Sequence, residues 1–99
     1  MAHIARQRPL VKTIVESDYE MDDRDDIINV VTGDKDRTIK LFKADIVYAG
    51  RRFWIRKVDD GNGSVLIDTP SQVYANHKIS TQGDLVGLES DGSDAYWGC

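Results

Sequence analysis

The side chains of this 99-residue chain that could do chemistry are mostly carboxylates, and they are concentrated. Residues 16–26 hold Glu16, Asp18, Glu20, Asp22, Asp23, Asp25 and Asp26 against a single Arg24. Hard cations take several carboxylate oxygens, so this run has the ligand types for calcium. It lacks the Asp-x-Asp-x-Asp-Gly register of a calcium loop, and the plainer reading is a solvated acidic loop. A second oxygen-rich stretch is Asp59-Asp60-Gly61-Asn62-Gly63. It falls between two strand-like runs, where a hairpin turn with glycines at positive φ accounts for its composition. His3 and His77 are the only histidines and Cys99 is the only cysteine, and no second such ligand stands at metal spacing. A Cys–His nucleophilic pair would need Cys99, and a terminal residue is usually too mobile to be held against a base. No glycine-flanked serine, phosphate-cradling glycine loop or His-Glu-x-x-His is present. The expectation is a protein that is not an enzyme, with no catalytic residue, no cofactor and no metal.

The elements that would position these groups read as strands. Apolar residues recur with period two in Arg37-Thr38-Ile39-Lys40-Leu41-Phe42, in Arg52–Val58, in Ser64–Asp68 and in Asp84–Glu89. Lys12–Val15 and Ile27–Val31 are rich in β-branched residues that suit a pleated surface. A last short run is Ala95-Tyr96-Trp97-Gly98. Glycine, aspartate, serine and proline clusters punctuate these runs about every ten residues, the pattern of a sandwich or barrel. The segment 43–48 has room for one short turn. The predicted fold is all-β: a small antiparallel β-sandwich or jelly-roll-like barrel at residues 12–99, preceded by an extended N-terminal arm at residues 1–11. No internal repeat is evident.

The net charge of −4 argues against general nucleic-acid binding, which needs a dominant positive field. No apolar run approaches the ~20 residues that span a bilayer, so no membrane partner is expected. The first residues lack the apolar core of a signal peptide, and one cysteine implies no disulfide, so synthesis in a cytosol is expected. Residues 1–12 are basic, with Arg6, Arg8 and Lys12 and no acid, while Ile4 and Leu10 add apolar grip. These five residues are the candidate docking arm. In the run 52–58, Phe53 and Ile55 share one face and Trp54 and Arg56 the other. If the first pair fills the core, the second points outward, and Trp and Arg are both enriched at subunit interfaces. The competing reading is a sandwich that covers both faces of this strand internally.

A succession of segments resembles short β modules of tailed-phage virion proteins, such as tail fibres, head fibres and capsid decorations. Asp25–Val30 is similar to an opening strand, and Thr38-Ile39-Lys40-Leu41 followed by Ala44 to a second. Phe42-Lys43 replaces the Leu-Pro step usual there. Gly50–Asp59 resembles a strand of glycine, basic residue, aromatic and Ile-Lys-Lys. Gly63–Asp68 is similar to the next, and Leu88–Ser93 with Tyr96-Trp97 to a closing Ser-Asp-Gly turn and aromatic. The resemblance covers residues 25–98 and implies a structural, homotrimeric protein of the virion. Because the module begins at its own Met1 and is almost alone, the expectation is a capsid decoration (cement) protein. It would bind the major capsid protein or another virion protein through residues 1–12. The alternatives are a short tail fibre or spike adhesin that binds a host receptor, and a carbohydrate-binding or carbohydrate-acting protein.

Overall fold

The computed structural model describes residues 10–22, 24–45 and 48–98, which form ten strands and no α-helix. They are β1 (Lys12–Val15), β2 (Tyr19–Glu20), β3 (Ile27–Val30), β4 (Arg37–Lys40), β5 (Arg52–Lys57), β6 (Val65–Asp68), β7 (Gln72–Tyr74), β8 (Lys78–Ile79), β9 (Leu85–Ser90) and β10 (Ala95–Gly98). All seven runs expected from the sequence are strands. The three further strands, β2, β7 and β8, are two or three residues long, too short for alternation to show. Ile4, Arg6 and Arg8 of the candidate arm, together with His3 and Cys99, lie outside the described residues.

Two sheets pack face to face. One has six strands in the order β1-β3-β5-β9-β10-β7, the other four in the order β2-β4-β6-β8. The chain changes sheet at every step from β1 to β9; only β9 and β10 are consecutive partners within one sheet. A chain that crosses twice returns to the first sheet running in its original direction. The ladders β1–β3, β3–β5, β2–β4 and β4–β6 are therefore parallel. The β7–β10 pair is parallel as well, and β8 and β9 run back antiparallel against β6 and β5.

The all-β class and the two-sheet architecture agree with the sequence expectation. The antiparallel pairing does not: most ladders are parallel, and residues 12–68 wind as a flattened coil. Period-two alternation reports a half-buried strand but not the direction of its neighbour, so the sequence pattern was silent on this point. Successive turns of the coil also differ in length. Lys12 pairs with Ile27 and Ile27 with Trp54, offsets of 15 and 27 residues, which is why no sequence repeat exists.

The segment 59–63 is likewise not a hairpin, because it carries the chain from β5 across to β6 in the other sheet. Its glycines answer close approach rather than positive φ. A Cβ on Gly61 would stand 2.2 Å from the Gly33 carbonyl oxygen, and one on Gly63 1.9 Å from that of Lys35. This crossover lies directly against the one between β3 and β4, and Gly63 N–H donates to Gly33 O at 3.0 Å. No side chain larger than hydrogen fits between the two backbones.

The core lies between the sheets. Val15, Ile28, Val30, Phe53, Ile55, Val86, Leu88 and Tyr96 point inward from the six-stranded sheet, and Ile39, Val65 and Ile79 from the four-stranded one. Met21, Leu41 and Ala44 complete it from the connections. Phe53 and Tyr96 meet edge to face at 5.6 Å, a favoured aromatic geometry. Because Phe53 and Ile55 are buried, their neighbours on β5 are turned to the opposite face of the sheet.

Candidate interaction surface

Three of the acidic groups singled out in the sequence, Asp25, Asp26 and Asp59, hold the coil together. Asp25 is buried; its carboxylate accepts Thr13 Oγ1 at 2.6 Å, Tyr19 OH at 2.7 Å and Asp22 N–H at 2.9 Å. Burial, followed by the bond to Asp25, pushes the Tyr19 phenol up to about 12. Asp26 accepts Val11 N–H at 2.7 Å and pairs with Arg51 at 3.3 Å. The run 16–26 is therefore a solvated loop only in part, since Asp25 and Asp26 turn inward and stitch β1 to β3.

At the other end of the coil, Lys57 is fully buried, at 0% exposure. Its ammonium donates to Thr32 Oγ1 at 2.8 Å and to Asp59 Oδ1 and Gly61 O at 3.0 Å each, which places all three protons. Asp59 also accepts the N–H groups of Thr32, Gly33 and Gly61. Partial burial pushes its carboxyl up, but these bonds outweigh it and hold the group well below the usual carboxylate range. The 59–63 segment thus serves as a polar clasp between stacked crossovers. Among the described residues no cluster of three or more His, Cys, Asp or Glu side chains is arranged to hold a metal ion.

The outer faces of the two sheets are what remain for partners, and they differ. On the four-stranded sheet, Glu20, Lys40 and Asp68 stand side by side in register, with Thr38, Leu66 and Lys78 in the next row. On the six-stranded sheet, Lys12, Ile27, Trp54 and Gly87 form one row, and Ile14, Asn29, Arg56 and Leu85 the next. Trp54 and Arg56 do point outward and are half-buried there, and Gly87 beside Trp54 adds no side chain to the row. Leu10, Ile27, Trp54, Arg56 and Leu85 line a shallow groove of about 230 Å³. Leu10 and Lys12 of the candidate arm lie here, at the β1 edge of the sheet.

Every large hydrophobic residue that is exposed among those described belongs to this sheet or leads into it: Leu10, Val11, Ile14, Tyr74, Leu85 and Trp97. Ile14 is 73% exposed, an unusual position for an isoleucine. Tyr74 and Trp97, register partners on β7 and β10, stack at 4.3 Å on the far side of the same face. Asp91 fixes the indole by accepting Trp97 Nε1–H at 3.2 Å, while the N–H groups of Ser93, Asp94 and Ala95 bind its other oxygen. The bond from Ser93 and then that from Trp97 hold the Asp91 carboxyl below its ordinary range. Sequence reasoning found Trp54 and Arg56 by alternation. It missed Ile14, Leu85 and the Tyr74–Trp97 pair, because their convergence depends on strand order. Alternation from the buried Tyr96 was the one signal that could have turned Trp97 outward.

No family model, no curated protein and no solved structure matches the chain. The likeness of residues 25–98 to phage virion modules therefore rests on the sequence segments alone.

Proposed function

We propose that this protein is a non-catalytic assembly module that associates with copies of itself through the outer face of its six-stranded sheet. The exposed Ile14, Leu85, Tyr74 and Trp97 on that face, the first two in the row of Arg56, carry the reading. Contiguous apolar surface rimmed by polar groups marks interaction sites, and Trp, Tyr and Arg supply most interface energy. Asp25 and Asp59, from the two acidic stretches, are engaged in the two joints of the coil.

The particular function proposed is a capsid decoration protein of a tailed phage, made in the host cytoplasm and bound as a homotrimer to the assembled shell. The segment resemblance supports the virion setting. The uncompensated charge of Arg6, Arg8 and Lys12 supports docking of residues 1–12 on an acidic capsid surface, to which a basic segment is steered. A protein that binds only the assembled lattice stabilises it by mass action. Two measurements test this. Light scattering at low micromolar concentration is expected to give the mass of three chains. Co-sedimentation with phage shells is expected for the full chain and not for a chain lacking residues 1–10. A protein that stays monomeric, or a truncated chain that still sediments with the shell, contradicts the proposal.

A further inference from the structure

The outer face of the six-stranded sheet has two unlike ends. At one end is the groove of Leu10, Ile27, Trp54 and Leu85, with Arg56 on its rim. Arg56 makes no ion pair among the described residues. At the other end the stacked rings of Tyr74 and Trp97 stand exposed, beside the 91–94 turn. Asp91 in that turn is saturated by four N–H donors, whereas the exposed Asp94 carboxylate has no hydrogen-bond or ion-pair partner among the described residues. Strand β9 joins the ends: Leu85 at its start pairs with Arg56, and Glu89 near its finish pairs with Trp97. The four steps from Leu85 to Glu89 set the two ends roughly 13 Å apart along the strand.

A basic apolar groove and an acidic aromatic ridge are complementary to each other, and among the described residues neither is filled by another part of the chain. We infer that the Tyr74–Trp97 ridge of one copy seats in the Trp54–Leu85 groove of another, with Asp94 of the first facing Arg56 of the second. The inference rests on the self-association proposed above and specifies its geometry. The occupant is a second copy because the acidic and aromatic groups complementary to the groove's arginine and apolar lining occur on the same face of the same chain. Like ends brought together would set Arg56 against Arg56 and Asp94 against Asp94, so repulsion opposes the alternative register. Each copy carries both halves, so the contact closes either as a reciprocal pair or as a ring, and the proposed trimer is one such ring. Asn29 lies in the Arg56 row, and its Oδ1 is the one buried side-chain polar atom without a partner among the described residues. The row that holds Arg56 therefore still has a hydrogen-bond acceptor unused among the described residues.

The test is a charge exchange in the full chain. Arg56→Glu and Asp94→Arg are made singly and together, with mass read by sedimentation velocity across a concentration series and folding checked by far-UV circular dichroism. Each single variant is expected to raise the dissociation constant tenfold or more, and the double variant to return it to within a few-fold of the parent. Trp97→Ala, which leaves both charges in place, is expected to weaken association to a similar degree. A double variant as weak as the singles overturns the pairing. Single variants that assemble like a multimeric parent also overturn it, while the self-association itself stands and its contact lies elsewhere. A parent that is monomeric throughout removes both.

Discussion

Corresponding outward positions of the two sheets carry different chemistry. On the four-stranded sheet Glu20, Lys40 and Asp68 alternate in sign across three strands. On the six-stranded sheet Ile27 and Trp54 take the same kind of position, flanked by Ile14 and Leu85. Both sheets present their inward side chains to one shared core, and both are built from β-branched and aromatic residues, so foldability does not explain the contrast. Alternating charges side by side are stabilising and hydrated, and they leave a surface that water covers at no cost. An isoleucine and a tryptophan beside each other leave a surface for which burial is favourable, at about 25 cal/mol per Å² of apolar area. One sheet presents alternating charges outward; the other is the face proposed to be covered by a partner.

The largest expected effect comes from cutting the joint that both sheets share. Asp59→Ala leaves the Lys57 ammonium buried without a counter-charge and strips acceptors from three backbone N–H groups. A loss of about 3–5 kcal/mol is expected. Urea unfolding followed by circular dichroism and by tryptophan fluorescence should shift together, because the two faces rest on one core. Separate transitions would show that the sheets unfold as independent bodies. For the parent chain the same carboxylate sets an acid limit: its depressed pKa contributes stability above the ordinary carboxylate range that is lost as pH falls below ~4.

Next in size is Trp54→Ala, compared with Lys40→Ala on the opposite sheet. A central aromatic hot spot is worth about 2 kcal/mol or more, so roughly a 30-fold rise in the dissociation constant is expected for the first. No change is expected for the second. Equal effects from the two substitutions would dissolve the distinction between the faces.

A smaller change is expected at alkaline pH, where Tyr19 links β2 of one sheet to Asp25 beside β3 of the other. Its phenol is raised to about 12, so the folded protein holds this proton longer than the unfolded chain does. That stability is complete below pH ~10 and is lost as pH rises from there toward 12. Thermal midpoints should fall over this range in the parent and fall less in Tyr19→Phe; identical slopes would remove the assignment.

The smallest effect is expected for the exposed Arg52–Glu89 pair, 2.7 Å apart on the six-stranded sheet. Surface pairs contribute about 0.2–1 kcal/mol, so a double-mutant cycle should give a coupling within that range. A larger coupling, present only at concentrations where the protein is multimeric, would extend the interface to this row.

The strands were legible because each long run leaves its own record. Phe53 and Ile55 alternate with Trp54 and Arg56, and burial of the first two dictates the direction of the others without reference to any neighbour. The same local logic reached neither the short β2, β7 and β8 nor the turning of Asp25 and Asp26 into the joint. Gly61 and Gly63 show the limit most clearly. Their composition fits a hairpin, yet they are glycines because another crossover, some 28 residues earlier in the chain, presses against them.

From its residues alone the chain determined that it is all-β, where its main strands lie and which way Trp54 faces, since alternation needs only a strand and one buried neighbour. Only the tertiary structure decided that the strands cross sheets at nearly every step, that most ladders are parallel, and that Ile14, Leu85, Tyr74 and Trp97 share one outer face. Those facts depend on which strand lies beside which. Pairing between segments distant in sequence is fixed by the packing of the whole core, because a single strand has the same two-residue period whichever neighbour it takes.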